Sequence, residues 1–459
     1  MRWREGVAAY SAGVPAQANL KSSWPATKRT APSGRNRHRV PARAMSGFDP
    51  TELIADFTTA CISRALDDRE ITLQKQSKVF FQISGAGHEV LLTAMARSLR
   101  SGNDWFFPYY RDRALVLSLG VPPLSMLLQS VGSSQDPSSG GRQMPSHWGD
   151  RERHIVTQSS PTASQCLPAV GSAEASRYFR LHPDLAPSQW AEDELTYVSL
   201  GEGSTAEGEF WESINTASRL RLPLLYLVED NGYAISVRSS DQLAAPVSDL
   251  MRSFKGLSVY KVQGWDYAAC RDIAARATAH VRSGAGPALI HAQVTRPYSH
   301  SSSDDQSRYR TVSELSAEAS HDPIEILERQ LISSNLLTAD QAAGIKARAR
   351  QLVSDAADEA LCSLRPEPSS VSTNVTGRSS LPVSERLQQS DEPNRRNRTG
   401  STPRSAEKVV ASLVMADAIR STLGQECEYG RVTWAWIRAG PAPLLTWAVA
   451  RAAMSRHAA

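Results

Sequence analysis

The chain has 459 residues, 41% of them hydrophobic and 21% charged, enough to bury a large core and too many for one small domain. No apolar run approaches the ~18 residues that span a bilayer, which argues against a membrane protein. The formal net charge of +4 is front-loaded: within residues 1–44 nine Lys or Arg face a single acid, Glu5, and the rest is slightly acidic, so the basic balance is no nucleic-acid signature.

That Arg-, Ser- and Ala-rich front, residues 1–45, reads as a disordered basic extension outside the fold. It fits a transit peptide, or a translated upstream stretch with Met45 as the true start, and the second reading is preferred. Residues 51–66 carry Leu53, Ile54, Phe57, Cys61, Ile62 and Leu66 at helical spacing. Residues 88–99 predict a second helix, entered through Gly85-Ala86-Gly87, with His88 structural rather than catalytic. Trp105, Phe106 and Phe107 read as core. A third helical pattern, 113–130, breaks at Pro122-Pro123. The polar, glycine-rich stretch 132–150 is longer than most connections, which favours a binding role. From 155 onward strand-like and helical runs alternate: strand 196–200, helix near 206–220, strand 224–230, helix 267–283, strand 288–294. This predicts an α/β fold with a parallel sheet flanked by helices. Thr338 can cap a last helix running to Leu364. Residues 366–405, rich in Ser, Pro, Arg and Asn, read as a disordered linker. A helical pattern returns at 407–423, and the tail 425–459 has no periodicity. Cys61, Cys166, Cys270, Cys362 and Cys427 lie too far apart for a zinc or redox spacing, so a reducing compartment is expected.

The chemistry gathers at the strand ends, where a parallel sheet binds its ligands. The stretch "LGEGSTAEGEFWES" holds Glu202, Glu207, Glu209 and Glu212. Acids in a first helical turn suit the helix dipole, which accounts for the last three. Glu202 stands apart, between Gly201 and Gly203, directly after a strand. Asn231 follows the next strand, 29 residues later. A right-handed βαβ unit would set the two side by side, a carboxylate and an amide oxygen of the kind magnesium takes.

A glycine–acid–glycine opening, a helix and a closing asparagine resemble the thiamine diphosphate fingerprint. The chain resembles, more closely, the alpha subunit of the decarboxylating component of 2-oxo acid dehydrogenase complexes, branched-chain (2-oxoisovalerate) type. The resemblance runs from about 75 to 331 through "YYRDRALVLSLG" (109–120), "GRQMPSHWGDRERHIVTQSSPTASQ" (141–165), "GEGSTAEGEFWES", "NGYAIS" and "SHSSSDDQSRYRT" (299–311). It implies a thiamine diphosphate-binding fold over 46–365. It also implies that Glu202, Asn231 and the backbone of Tyr233 hold magnesium, that Gly203, Ser204, Tyr110 and Arg111 contact the diphosphate, and that Ser160 and Thr162 face the aminopyrimidine. Ser159, Pro161, Ser164 and Gln165 match a potassium loop. His300 matches a histidine that binds phosphate and assists acyl transfer, and Ser301 matches a serine phosphorylated in mitochondrial relatives. Glu207 would serve the helix dipole and orient neighbours near the phosphate. His147 would cap its loop or line the substrate pocket, and Tyr309 and Arg310 would brace the 299–311 loop. By themselves, Arg111 and Asp112 read more readily as a surface ion pair than as a phosphate site.

Two departures stand out. Glu229 occupies the place of an arginine facing the diphosphate, and an acid there repels phosphate unless it turns away or pairs with a base. The family's aminopyrimidine-binding glutamate comes from a beta-type chain; "MADAIRSTL" (415–423) resembles that partner's first helix, a truncated start at 406–424, before the tail departs as if frameshifted. The implied activity is oxidative decarboxylation of 3-methyl-2-oxobutanoate with acyl transfer to a lipoyl-bearing acyltransferase. It would take place in a heterotetramer or dimer of fused chains, without nucleic acid or membrane. A pyruvate or acetoin dehydrogenase alpha subunit, or a truncated non-catalytic product, is the alternative. A bacterial-type fused chain would be cytoplasmic; the alternative is the mitochondrial matrix.

Overall fold

The computed structural model describes residues 45, 47–157, 160–188 and 190–373. Residues 1–44 of the expected basic extension, residues 374–405 of the expected linker, the 406–424 segment and the 425–459 tail lie outside the described residues; Met45, counted with the extension, is instead buried in the core.

A parallel five-stranded sheet forms the centre. Its strands are β1 (Trp105–Phe107), β2 (Thr196–Gly201), β3 (Leu224–Asp230), β6 (Ser258–Gln263) and β7 (Ala288–Gln293), in the order β1-β2-β3-β7-β6. β4 (Tyr233–Ala234) and β5 (Val237–Arg238) make a small antiparallel hairpin beyond β3. The helices are α1 (Pro50–Lys75), α2 (Glu89–Ala96), α3 (Arg113–Ser118), α4 (Pro123–Ser130), α5 (Cys166–Leu181), α6 (Gly208–Leu220), the single turns α7 (Ser239–Gln242) and α8 (Val247–Leu250), α9 (Tyr267–Arg282), α10 (Val312–Ala319), α11 (Pro323–Ser333) and α12 (Ala339–Leu361).

Both sheet faces are covered, as a parallel sheet requires. Along β3 the side chains alternate between two cores: Leu224, Tyr226 and Val228 pack with Ala169, Val170, Phe210 and Ile214, whereas Leu225 and Leu227 pack with Val90, Leu91, Ala274 and Ala277. Burying a side chain of this size stabilises by roughly 1.5–3 kcal/mol. β2 and β3 are neighbours through α6, with Gly201 opposite Glu229, so their carboxyl ends finish side by side.

The elements differ from the sequence expectations in instructive ways. α1 continues nine residues past the predicted end at 66, to Lys75. The apolar stripe stops at Leu66 because the next buried positions are Asp67 and Glu70, which receive the Arg113 guanidinium instead of hydrocarbon. α5 buries Leu167 and Val170, but much of its buried surface is Ala169, Gly171, Ser172, Ala173 and Ser176, residues too small to mark a stripe. β6 is an edge strand whose polar residues hide its pattern. The last helix ends at Leu361, and Thr338 caps it in a reciprocal box with Gln341. Residues 366–373 of the expected linker are described: Arg142 of the long loop donates to the Ser370 carbonyl at 3.3 Å and to Thr373 Oγ1 at 3.1 Å. Among the described residues no helix is long and apolar enough to cross a membrane. Cys61, Cys166 and Cys270 are buried free thiols and Cys362 an exposed one.

Candidate functional site

β2 runs into a 3-10 turn, Glu202–Ala206, which Thr205 tightens by donating to the Glu202 carbonyl at 2.6 Å. α6 therefore starts at Gly208, not near Ala206, with Glu207 as its N-cap. The turn puts the Glu202 side chain inside, 2% exposed. Oε2 accepts the Asn231 N–H at 3.2 Å, and Asn231 Oδ1 accepts the Tyr233 N–H at 3.3 Å. Oε1 is buried without a hydrogen-bond partner. Burial first, then the Asp230 carboxylate, pushes the Glu202 carboxyl up to about 8. Glu207, Glu209 and Glu212 are all exposed. The four glutamates thus divide as their positions before and inside the helix imply, and Glu207 makes no side-chain cap bond.

Facing this corner is Arg111, 1% exposed. It forms no surface ion pair with Asp112: that carboxylate is buried and accepts from Ser199 Oγ and Tyr197 OH. Nor is the guanidinium fork free. Nη1 donates to the Ser84 carbonyl, and Nη2 lies 3.1 Å from His300 Nδ1 and 3.2 Å from the His300 carbonyl. Nε is buried without a partner. No carboxylate among the described residues lies within ion-pair distance of Arg111. Tyr110 completes the group, its ring 5.1 Å from the Arg111 guanidinium carbon and edge-on to His300. Sequence reasoning missed Ser84; a backbone carbonyl leaves no mark on residue type.

The 299–311 loop is braced as expected. Tyr309 donates to Asp304 Oδ2 at 2.5 Å and accepts from Arg296 Nη2 at 2.8 Å; Arg310 donates to the Arg296 carbonyl at 2.9 Å and pairs with Glu318. A recess beside the corner is lined by Tyr109, Tyr110, Ser160, Pro161, Thr162, Gln165 and Ser204. Ser160 bonds His147 Nε2 at 3.2 Å, and His147 Nδ1 lies 3.0 Å from the Pro145 carbonyl, so His147 both caps its loop and holds Ser160. Of the four potassium candidates, Ser159 lies outside the described residues. Ser164 donates to the Pro161 carbonyl at 2.7 Å, and Gln165 Nε2 to the Ser199 carbonyl at 2.9 Å.

Residues 58–369 match the dehydrogenase E1 component family. The chain belongs to that family. It is 32% identical to the 2-oxoisovalerate dehydrogenase subunit alpha of Bacillus subtilis (strain 168), over 71% of this chain and 94% of that one. It is 31% identical to the 3-methyl-2-oxobutanoate dehydrogenase subunit alpha of Mycobacterium tuberculosis (strain ATCC 25618 / H37Rv), over 65% of this chain and 75% of that one. A third relative, the mitochondrial 2-oxoisovalerate dehydrogenase subunit alpha of Mus musculus, is 29% identical over 71% of each chain.

The dehydrogenase E1 component family uses thiamine diphosphate, and its alpha subunits normally pair with a beta subunit. The corner fits that cofactor's charged end: a buried carboxylate oxygen lacks a partner beside a buried guanidinium that lacks a counter-ion, and the nearby donors are hard oxygens. The two glycines have a nearer cause than phosphate. A Cβ on Gly201 would lie 2.7 Å from Tyr109 OH, and one on Gly203 2.5 Å from the Ala234 Cβ. They admit a ring and the β4–β5 hairpin.

The Glu229 departure resolves in the same corner. Glu229 is fully buried and bonds His88 Nδ1. Burial, with the Asp112 carboxylate next to it, drives the Glu229 carboxyl far above the carboxylate range, and burial drives His88 far below the usual imidazole range. The contact is therefore a hydrogen bond between neutral groups, with the Asp112 carboxylate helping to keep the proton on Glu229. The acid pairs with a base and loses its charge, and His88 is buried as that partner.

Proposed function

We propose that this chain is the alpha-type half of a thiamine diphosphate-dependent dehydrogenase that oxidatively decarboxylates a branched-chain 2-oxo acid, 3-methyl-2-oxobutanoate, and passes the acyl group to a lipoyl-bearing acyltransferase. The observation that carries it is a pair of buried groups in one corner that lack counter-ions: the Arg111 guanidinium, and the Glu202 carboxyl, which burial holds protonated up to about pH 8. Burying an ion costs several kcal/mol, a cost that Arg111 carries and that Glu202 avoids by keeping its proton. A cation in place of the Glu202 proton and an anion against Arg111 compensate both groups together, which is what a magnesium diphosphate supplies. The names of the relatives favour the branched-chain substrate.

In this reading Glu202, Asn231 Oδ1 and the Tyr233 carbonyl hold magnesium. Tyr110, Arg111, Gly203 and Ser204 receive the diphosphate, with Glu207 orienting their surroundings from the helix start. Ser160, steadied by His147, and Thr162 take the aminopyrimidine. Potassium, if the loop binds it, sits at Ser159, Pro161, Ser164 and Gln165. When bound, the cofactor supplies the electron sink for loss of carbon dioxide. His300 then stands beside the diphosphate end to hold an oxygen of the acyl transfer by a hydrogen bond. A beta-type partner contributes the acid that activates the aminopyrimidine, so this chain alone is nearly inactive. The preferred compartment is the cytoplasm, with the mitochondrial matrix as the alternative.

Calorimetric titration with thiamine diphosphate and magnesium tests the assignment. Binding should require magnesium and disappear in Glu202→Ala and Asn231→Ala. Magnesium-independent binding, or unchanged binding in both variants, refutes the metal set. Rapid 2-oxo acid decarboxylation by the purified chain alone refutes the need for a partner.

A further inference from the structure

The contact between Arg111 and His300 decides where the imidazole keeps its proton. A guanidinium carries five N–H donors and no acceptor, and it stays protonated in proteins. Nη2 of Arg111 lies 3.1 Å from His300 Nδ1, so Nδ1 must present a lone pair. The single ring proton of the neutral imidazole then falls on Nε2.

The contact has little freedom. Arg111 is 1% exposed, its Nη1 is tied to the Ser84 carbonyl, and the same Nη2 reaches the His300 carbonyl at 3.2 Å. The loop is held on its other side: the His300 N–H donates to Asp304 Oδ2 at 2.8 Å and the Ser302 N–H to the Gln82 carbonyl at 2.8 Å. Gln82 and Ser84 belong to one short segment, which therefore anchors both partners of the contact.

We infer that Arg111 is a positioning residue that locks His300 as the neutral imidazole with its proton on Nε2. The functional meaning rests on the reading of His300 as a site residue given above; the lock itself rests on the hydrogen bonds. The groups facing the ring are Arg111, Arg296, Asp304 and the edge of Tyr110. Burial and two cations against one carboxylate hold His300 down to about 3. At neutral pH the residue offers the reaction a hydrogen bond from Nε2, not an imidazolium proton. The role of acid or donor implied by the resemblance narrows to donor.

Long-range proton–nitrogen spectra of the full chain with nitrogen-15 histidine test this, with His300→Gln assigning the signal. His300 should show an unprotonated Nδ1 and a protonated Nε2 at pH 7, unchanged down to pH ~5, well below the ordinary histidine range. His147 supplies an internal reference of opposite kind: its Nδ1 faces a carbonyl at 3.0 Å and must carry the proton. Arg111→Met should raise the His300 titration by at least about one pH unit toward the ordinary ~6.5 and mix the tautomers. A proton on Nδ1, or an imidazolium at pH 7, overturns the lock in the unmodified chain, whether or not the variant folds. An Arg111→Met spectrum identical to the parent overturns the role of Arg111. Cofactor titration of the same sample reads the site assignment separately: failure to bind thiamine diphosphate with the Nε2 proton in place removes the cofactor reading and leaves the lock standing.

Discussion

Arg111 and Arg113 are two residues apart and equally buried, each 1% exposed. Their surroundings are opposite. Arg113 meets Glu70 Oε2 at 2.6 Å and Asp67 Oδ1 at 3.4 Å, and Glu70 also accepts from Ser130 at 2.5 Å. Arg111 meets a carbonyl, an imidazole and an aromatic face. One charge is neutralised by the fold, and the other is held in place without being neutralised. Burial alone marks neither as functional; what separates them is whether the chain supplies the counter-charge.

The largest effect should come from breaking the satisfied member. Arg113→Met leaves Asp67 and Glu70 buried without their cation, and removing one partner of a buried ion pair costs about 3–5 kcal/mol. Denaturant unfolding should show that loss. A variant with wild-type stability would mean that Arg113 is no more compensated than Arg111, and the contrast would collapse.

Glu202 is the acidic counterpart of Arg111, and pH exposes its strain. Its folded value, about 8, lies above the ordinary 4.5. In magnesium-free buffer the stabilising contribution is fully present below 4.5 and is lost as pH rises through about 8, because the folded chain binds the proton more tightly. Glu202→Gln should remove this slope, making the variant relatively more stable than the parent above pH 8 while abolishing magnesium binding. Unfolding midpoints from pH 5 to 9 in chelator measure it; parallel curves for the two chains would show that Glu202 is not strained.

Much of this corner is legible in the sequence. Glu202 stood out because it preceded a helix that explained the other glutamates, and Asn231 because it ended the next strand. Both inferences need only strand periodicity and the rule that parallel strands bind ligands at their carboxyl ends. The asymmetry between Arg111 and Arg113 was not legible. Nothing in "YYRDRAL" tells which arginine meets Asp67 and Glu70, since those residues come from the polar end of α1, where the apolar stripe had already stopped. The partner of Arg111 is a backbone carbonyl, invisible in any residue pattern. Glu229 looked like an affront to the phosphate because its neutral state depends on burial beside Asp112 and His88, contacts made across 117 and 141 positions of chain.

Arg111→Met sharpens the comparison from the other side. It removes a buried charge that has no internal partner, so stability should hold or rise, in contrast to Arg113→Met. Cofactor affinity should fall by about 1.5–3 kcal/mol, the worth of a hydrogen bond to a charged group, or roughly ten- to a hundred-fold. Calorimetry and denaturant unfolding of one preparation report both quantities. A large stability loss with unchanged affinity would make Arg111 an ordinary structural arginine.

The smallest effect concerns the loop that presents His300 to Arg111. The Tyr309 hydroxyl joins Asp304 at 2.5 Å to Arg296 at 2.8 Å, and Asp304 in turn holds the His300 N–H at 2.8 Å. Tyr309→Phe deletes both bonds while keeping the ring that lies tilted against Tyr233. Tyr309 is only partly buried, so water can replace the lost partners, and the net cost should stay near ~1 kcal/mol. Tyr233→Phe is the fair reference, because its hydroxyl makes a single 3.2 Å bond to Glu314, away from the His300 loop. Hydrogen exchange over 299–305 should quicken in Tyr309→Phe and not in Tyr233→Phe. Equal exchange in the two variants would mean that the Tyr309 hydroxyl does not rigidify the loop, leaving Arg111, Asp304 and Gln82 to hold it.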